Sequence, residues 1–301
     1  MLSKDQVERY HEDGYLLVEE VLSAKLLSRL RQVTDEVTNL ATTLSKSDEI
    51  IDLEPGHTKD DPRVRRIKRP HLAHEFYREL CADPCITSLL APLLGPDIRL
   101  RAGGKVNMKS ASFGAPVEWH QDWAFYPHTN DDVLAAGLFL DDMTLENGPL
   151  MVLPGSHRGE LFNHHSRGSF CGAIDPTVNE IDFSKAIPLM GKAGSMSIHH
   201  ARLVHGSEPN KSRKQRRLLL YEYTSADAWP MAGVEPLSDF DEFNSRIVLG
   251  SPTVTPRVEQ VPIRMPFPKA PHQGSIYENQ RTLSNKYFEH KIENVPTGAV
   301  V

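Results

Sequence analysis

The segment VEWHQDWAFYP places His120 and Asp122 two residues apart, and LVHGSEPN supplies His205 far downstream. Side chains two apart in a strand point to the same face, so the first pair can reach one metal ion from one strand. Two imidazoles and a carboxylate on one face of an octahedron leave three positions open for a cosubstrate and O2, the ligand set of Fe(II) oxygenases. The chain has 14 histidines, so an H-x-D triplet arises easily by chance. The surroundings raise its weight: Trp119, Trp123, Phe125 and Tyr126 crowd the motif and would wall a dry pocket. His199 and His200 compete for the third position. His205 is preferred because Gly206 and Ser207 follow it, and glycine permits a sharp exit from a strand. An oxygenase of this kind must also hold a dicarboxylate, one end on the metal and the other on a buried cation, for which a planar, permanently charged guanidinium is suited. Arg216 and Arg217 open the strand RRLLLYEY. Only one of them can point inward, and both faces of that strand are apolar, so alternation does not choose between them.

The elements that must position these groups are readable from periodicity. Ser3 with Gln6 forms a capping-box pattern and Gly14 a stop, which predicts a short first helix. Tyr15 to Leu22 reads as a strand. Ser23 caps an amphipathic helix bearing Leu26, Leu27, Leu30, Val33, Val37 and Leu40 at helical spacing. Residues 45–63 turn polar, with Gly and two Pro, and predict a mobile loop that could close over the site. A third helix is expected from His74 to Leu94. From Asp97 onward, short apolar runs alternate with Gly, Pro and Asn turns (IRLRAGGKVNM, VLAAGLFL, GPLMVLPGS, GSMSI, RLLLYEY), the pattern of an all-β sandwich or barrel. The expectation is one domain, mainly β with flanking helices: a helical part over 1–96, a jelly-roll core over about 97–265 and a C-terminal extension over 266–301.

Bulk properties narrow the function classes. A net charge of −6 speaks against a general nucleic-acid surface. No stretch approaches the roughly 18 apolar residues of a membrane span. The polar start MLSKDQVERYHEDG lacks the apolar core of a signal peptide, and VPTGAVV carries no peroxisomal or reticulum address. Three cysteines, Cys81, Cys85 and Cys171, read as reduced thiols of a cytoplasmic protein. The expected partner is a small molecule, with neither nucleic acid nor membrane; oligomeric state is not readable.

WHQD, then NGPLMVLPGSH, then HGSEPN resemble the phytanoyl-CoA dioxygenase family, with the likeness running from DGYLLVEEVL to the strand after Arg217. The resemblance implies a double-stranded β-helix (cupin-like) and an oxidoreductase using Fe(II), 2-oxoglutarate and O2 to oxidise a C–H bond of a small organic molecule, releasing succinate and CO2. It puts the metal ligands on His120, Asp122 and His205 and the far-carboxylate cation on Arg216. Ser207 would help hold that carboxylate, and Lys68 and Asn107 are further cosubstrate contacts. It does not imply a CoA-linked substrate, since one fold hosts many reactions. Pocket walls are expected from residues 45–75, from the loop His164–Gly172 and from the segment after Trp229, with Arg63, Arg65, Arg66 and Arg69 available to an anionic substrate or simply solvated. Two rivals are a jelly-roll zinc or manganese hydrolase or isomerase and a non-catalytic binding protein of the same fold. Neither needs the Arg216–Ser207 clamp.

Overall fold

In the computed structural model, the described residues are 1–112, 114–232, 239–269 and 276–288. The first helix, α1 (Lys4–Asp13), is closed as its sequence dictates. The Ser3 hydroxyl accepts from the Gln6 N–H, the Gln6 side chain accepts from the Ser3 N–H, and Gly14 turns the chain at φ +81°. Helix α2 (Ala24–Asn39) starts at the Ser23 cap and buries Leu30, Val33 and Val37. The helix expected from His74 to Leu94 is instead two, α4 (Glu75–Leu80) and α5 (Pro84–Leu94), preceded by a single-turn α3 (Pro70–Ala73). The break has a local cause. Asp83 accepts from the Cys85 N–H as a new N-cap, and Pro84, which has no N–H to donate, sits at the first helical position. Two short helices, α6 (Phe240–Asn244) and α7 (Ile276–Asn279), follow the β core.

The strands are β1 (Tyr15–Val18), β2 (Ile51–Leu53), β3 (Val64–Ile67), β4 (Ile98–Lys109), β5 (Val117–His120), β6 (Val133–Phe139), β7 (Leu150–Val152), β8 (His165–Ser166), β9 (Ser169–Phe170), β10 (Ile187–Leu189), β11 (Met196–His200), β12 (His205–Ser207), β13 (Arg216–Ser225) and β14 (Ile247–Leu249). An eight-stranded sheet runs β1-β11-β6-β13-β4-β3-β2 with β14 against β4, and a four-stranded sheet runs β10-β7-β12-β5. All these pairings are antiparallel, with β8 and β9 forming a separate small pair. Two antiparallel sheets enclosing a site between them, with helices against the larger one, are the jelly roll expected from the strand spacing. The N-terminal region is part of it, because β1 extends the large sheet at β11 and β2 and β3 extend it beyond β4.

The polar segment 45–63 is therefore not the featureless loop its composition suggested. Ile51, Asp52 and Leu53 are buried in β2, and the Glu54 N–H bonds the Arg63 carbonyl, so the exposed stretches are 45–49 and the tip over 55–62.

Strand β13 decides more than any other element. Every one of its residues is buried. Leu219, Tyr221 and Tyr223 belong to the main core, where the Tyr221 hydroxyl donates to the Tyr77 carbonyl (2.6 Å) and the Tyr223 hydroxyl to the Cys81 carbonyl (2.8 Å). The alternate residues Arg216, Leu218, Leu220 and Glu222 face the space between the sheets. Among the described residues, no helix is long and apolar enough to cross a membrane.

Candidate metal and cosubstrate site

His120 and His205 meet because their strands do: β12 pairs with β5 so that His205 lies directly opposite His120, with ring centroids 4.1 Å apart. Asp122 arrives differently from the expectation. Strand β5 ends at His120, and Asp122 opens a short 3-10 turn, Asp122–Ala124. The bend is held by Gln121. Its amide donates to the carbonyls of Glu160 (3.1 Å) and Arg202 (2.8 Å) and accepts from the Phe162 N–H (2.9 Å). One oxygen of Asp122 then lies 3.7 Å from His120 Nε2 and 3.9 Å from His205 Nε2. The ligating atoms of the three residues fall within 4.8 Å of one another, and all three residues are buried.

Protonation suits a metal. The Nδ1 of His120 lies 2.8 Å from the Glu118 carbonyl and that of His205 lies 2.9 Å from the Leu203 carbonyl. A carbonyl can only accept, so Nδ1 carries the hydrogen and Nε2 presents its lone pair inward. Burial, with His120 and His199 beside it, pushes His205 well below the ordinary histidine range. Burial by itself would raise Asp122, but the histidines around it, His120, His199 and His205, prevail and hold it well below the usual carboxylate range. Neutral imidazoles and an ionised carboxylate are what a divalent cation takes.

The triad opens on a cavity of about 50 Å³. Arg216 lines it, is only 2% exposed and donates to the Gly148 carbonyl at 2.7 Å, while its Nε has no partner. Burial lowers its guanidinium to about 10, still protonated at neutral pH. Arg217 points the opposite way, onto Asp141 (2.9 and 2.8 Å) and Asp35 (2.6 Å). Ser207 lines the cavity and accepts from Lys109 Nζ at 2.8 Å. Asn107 also lines it, and its buried amide oxygen has no partner. Orphaned polar atoms on a buried cation and an amide beside a three-ligand centre fit a dicarboxylate bridging metal and arginine.

Lys68 is not brought to this cavity. Its ammonium lies 3.0 Å from Asp52, which also binds Arg66 at 2.9 Å. Arg63 is paired with Asp61 (2.9 Å). Arg65 stacks over Tyr277 at 5.2 Å. The expected wall segments 45–75 and His164–Gly172 do not line the cavity, whereas α7 of the C-terminal extension contributes Ile276 and Tyr277. Gly206 needs its lack of a side chain for space: it lies in β12 where the register with β5 shifts, and a Cβ there would lie 2.9 Å from the Val117 carbonyl.

Two polar wall residues were not recognised from the sequence. Lys105 shares the inward face of β4 with Asn107, at the period of two that a strand imposes. The other is Glu222 of β13. It accepts from Lys105 at 2.9 Å and from Arg101 Nε at 3.0 Å. Although burial opposes it, these two cations pull its carboxyl down to about 2 from an ordinary 4.5. A folded-state value below the unfolded one adds stability above pH ~4.5 that is lost as pH falls toward 2. The difference in melting temperature between the native chain and Glu222→Gln should be present at pH 7 and close over that acid window. A constant gap from pH 7 to pH 3 would contradict the assignment.

Comparison with known proteins agrees with this geometry. Residues 10–218 match the family model described as Phytanoyl-CoA dioxygenase (PhyH). A probable alpha-ketoglutarate-dependent hypophosphite dioxygenase of Stutzerimonas stutzeri is 37% identical over 295 residues, covering 94% of this chain and 99% of that protein. The L-proline trans-4-hydroxylase of Streptomyces griseoviridis is 30% identical, covering 77% and 90%. Among solved structures, EctD from S. alaskensis with bound Fe superposes with a TM-score of 0.64 at 24% identity, covering 87% and 88% of the two chains. The chain belongs to the phytanoyl-CoA dioxygenase family and is a dioxygenase dependent on Fe(II) and 2-oxoglutarate.

Proposed function

We propose that this dioxygenase oxidises a small anion of the class to which hypophosphite belongs, at an H–P or H–C bond. The observation that carries the reading is the charge of the cavity wall. Glu222 is a single carboxylate shared by two cations, Arg101 and Lys105. The ammonium of Lys105 stands in the wall of the cavity that the triad opens on. An oxyanion placed against the Lys105 ammonium gains a charge-assisted contact. A relative matching nearly the full chain is described as acting on hypophosphite.

In this reading His120, Asp122 and His205 hold the iron, and Arg216 with Ser207 takes the far carboxylate of 2-oxoglutarate. Lys109 donates to the Ser207 oxygen, so the Ser207 hydroxyl hydrogen is free to point at that carboxylate. Asn107 lines the same cavity with an unpartnered amide oxygen. Iron with 2-oxoglutarate and O2 supplies an oxidising centre able to remove hydrogen from the substrate, with succinate and CO2 as the cosubstrate's products. The protein's part is orientation and exclusion of water: the Phe125 ring packs edge-on against His120 with centroids 6.0 Å apart, while Trp119 and Trp123, expected as pocket walls, lie instead in two separate apolar clusters. The three cysteines are free, and Cys81 and Cys171 are buried, which fits a cytoplasmic setting.

The test is succinate release by the Fe(II)-loaded protein with hypophosphite, L-proline or ectoine, with phosphite followed by phosphorus NMR. Hypophosphite-dependent succinate and phosphite are expected. Lys105→Met should raise the anion's KM at least about tenfold, the loss of one charge-assisted contact of roughly 1.5–3 kcal/mol. Turnover of a zwitterion or neutral compound, with none on any small oxyanion, would overturn the proposal.

A further inference from the structure

His199 stands out among the groups to which the reaction assigns no part. It lies on β11 between Ala135 of β6 and Tyr15 of β1, and its side chain lines the metal cavity. It is 1% exposed, and neither ring nitrogen has a hydrogen-bond partner. Leaving a buried polar group unpaired costs about 1–3 kcal/mol, so an imidazole here needs a recipient for its N–H. One acceptor stands nearly in reach: His199 Nε2 is 3.4 Å from Oδ2 of Asp122. The other Asp122 oxygen, Oδ1, is the one that faces Nε2 of His120 and His205. The two carboxylate oxygens are thus divided, one toward the metal position and one toward His199. The rings of His199 and His205 are 4.5 Å apart, so His199 is packed against the ligand set and cannot swing freely from it.

We propose that His199 is a positioning residue for the metal carboxylate. Its Nε2–H donates to Asp122 Oδ2 and keeps Asp122 a one-oxygen ligand. A carboxylate free to rotate could chelate through both oxygens and occupy a position that the keto acid or O2 requires. The hydrogen bond closes that option and orients the ligand without His199 itself touching metal or substrate. The inference rests on the assignment of His120, Asp122 and His205 as metal ligands.

Two variants separate the possibilities. His199→Leu removes the donor at similar volume, and His199→Gln retains a donor. Metal affinity is read by chelator competition with Fe(II) or Co(II). Ligand geometry is read from the visible spectrum of the anaerobic Fe(II) and 2-oxoglutarate complex, and Asp122→Ala serves as reference. His199→Leu should bind metal about tenfold to a hundredfold more weakly, the range for residues that orient metal ligands. Its visible band should shift, and its succinate should exceed its oxidised product. His199→Gln should restore affinity to within about threefold and return the band. Wild-type affinity and an unshifted band in His199→Leu would overturn the proposal. So would a loss of metal as complete as in Asp122→Ala, which would make His199 a ligand itself. Metal retained by Asp122→Ala would instead overturn the triad assignment, which keeps the two failures distinct.

Discussion

His205→Ala should lose metal binding and turnover together, while His200→Ala keeps both within a few-fold. The two histidines are five residues apart, and sequence leaves them as rivals. The structure separates them by pairing. His205 sits opposite His120 across β5 and β12, whereas His200 faces away from the cavity toward Asp131 at 3.9 Å and the ring of His157 at 5.1 Å. Removing His205 leaves two ligands where a facial set needs three, and it uncovers one face of a buried carboxylate. Iron content after reconstitution and succinate release are the measurements. Full iron occupancy with turnover in His205→Ala would refute the ligand set.

The second large effect is on the cosubstrate. Arg216→Ala should raise the 2-oxoglutarate KM and dissociation constant by roughly two to three and a half orders of magnitude. That range is the roughly 3–5 kcal/mol lost when one partner of a buried ion pair is removed, at about 1.4 kcal/mol per decade. Iron binding should persist, since Arg216 is not among the metal-binding groups. Arg217→Ala should leave the 2-oxoglutarate KM within a few-fold and instead lower stability by roughly 1–3 kcal/mol. Its guanidinium ties β13 to Asp141 and to Asp35 of α2. Binding of 2-oxoglutarate to the metal-loaded protein and thermal melts of both variants read these effects. A cosubstrate defect confined to Arg217→Ala would reverse the assignment.

These two experiments bear on the point where local pattern stops being informative. Alternation distinguishes inside from outside only when one face of a strand is wet. Strand β13 is covered on both faces, by the helices at Leu219, Tyr221 and Tyr223 and by the cavity at Leu218, Leu220 and Glu222. Its residues therefore look alike in sequence, and the choice of Arg216 came from resemblance; the topology places Arg216 on the cavity side and Arg217 on the other.

Much else was local and therefore legible. The Ser3–Gln6 box, the Gly14 stop and the Ser23 cap are contacts within a few residues, and each appears as its sequence predicts. The spacing of short apolar runs after Asp97 was enough to indicate a jelly roll, because strand period and turn chemistry are also local. H-x-D with a distant H-G-S named the metal candidates, although Asp122 takes its place through a turn held by Gln121 and not as a strand neighbour of His120. The misplaced residues depended on distant partners. Lys68 is drawn to Asp52 across the β2–β3 hairpin, and residues 51–53 become a buried strand because β3 is there to pair with them. Tyr277 reaches the cavity from the far end of the chain, and Lys105 comes beside Glu222 and Arg101 only once β4 and β13 pair. Sequence by itself determined the reaction class, because ligand types and their local spacing carry it. The shape and charge of the substrate space were decided only by tertiary structure, because both arise between strands and segments that are remote in the chain.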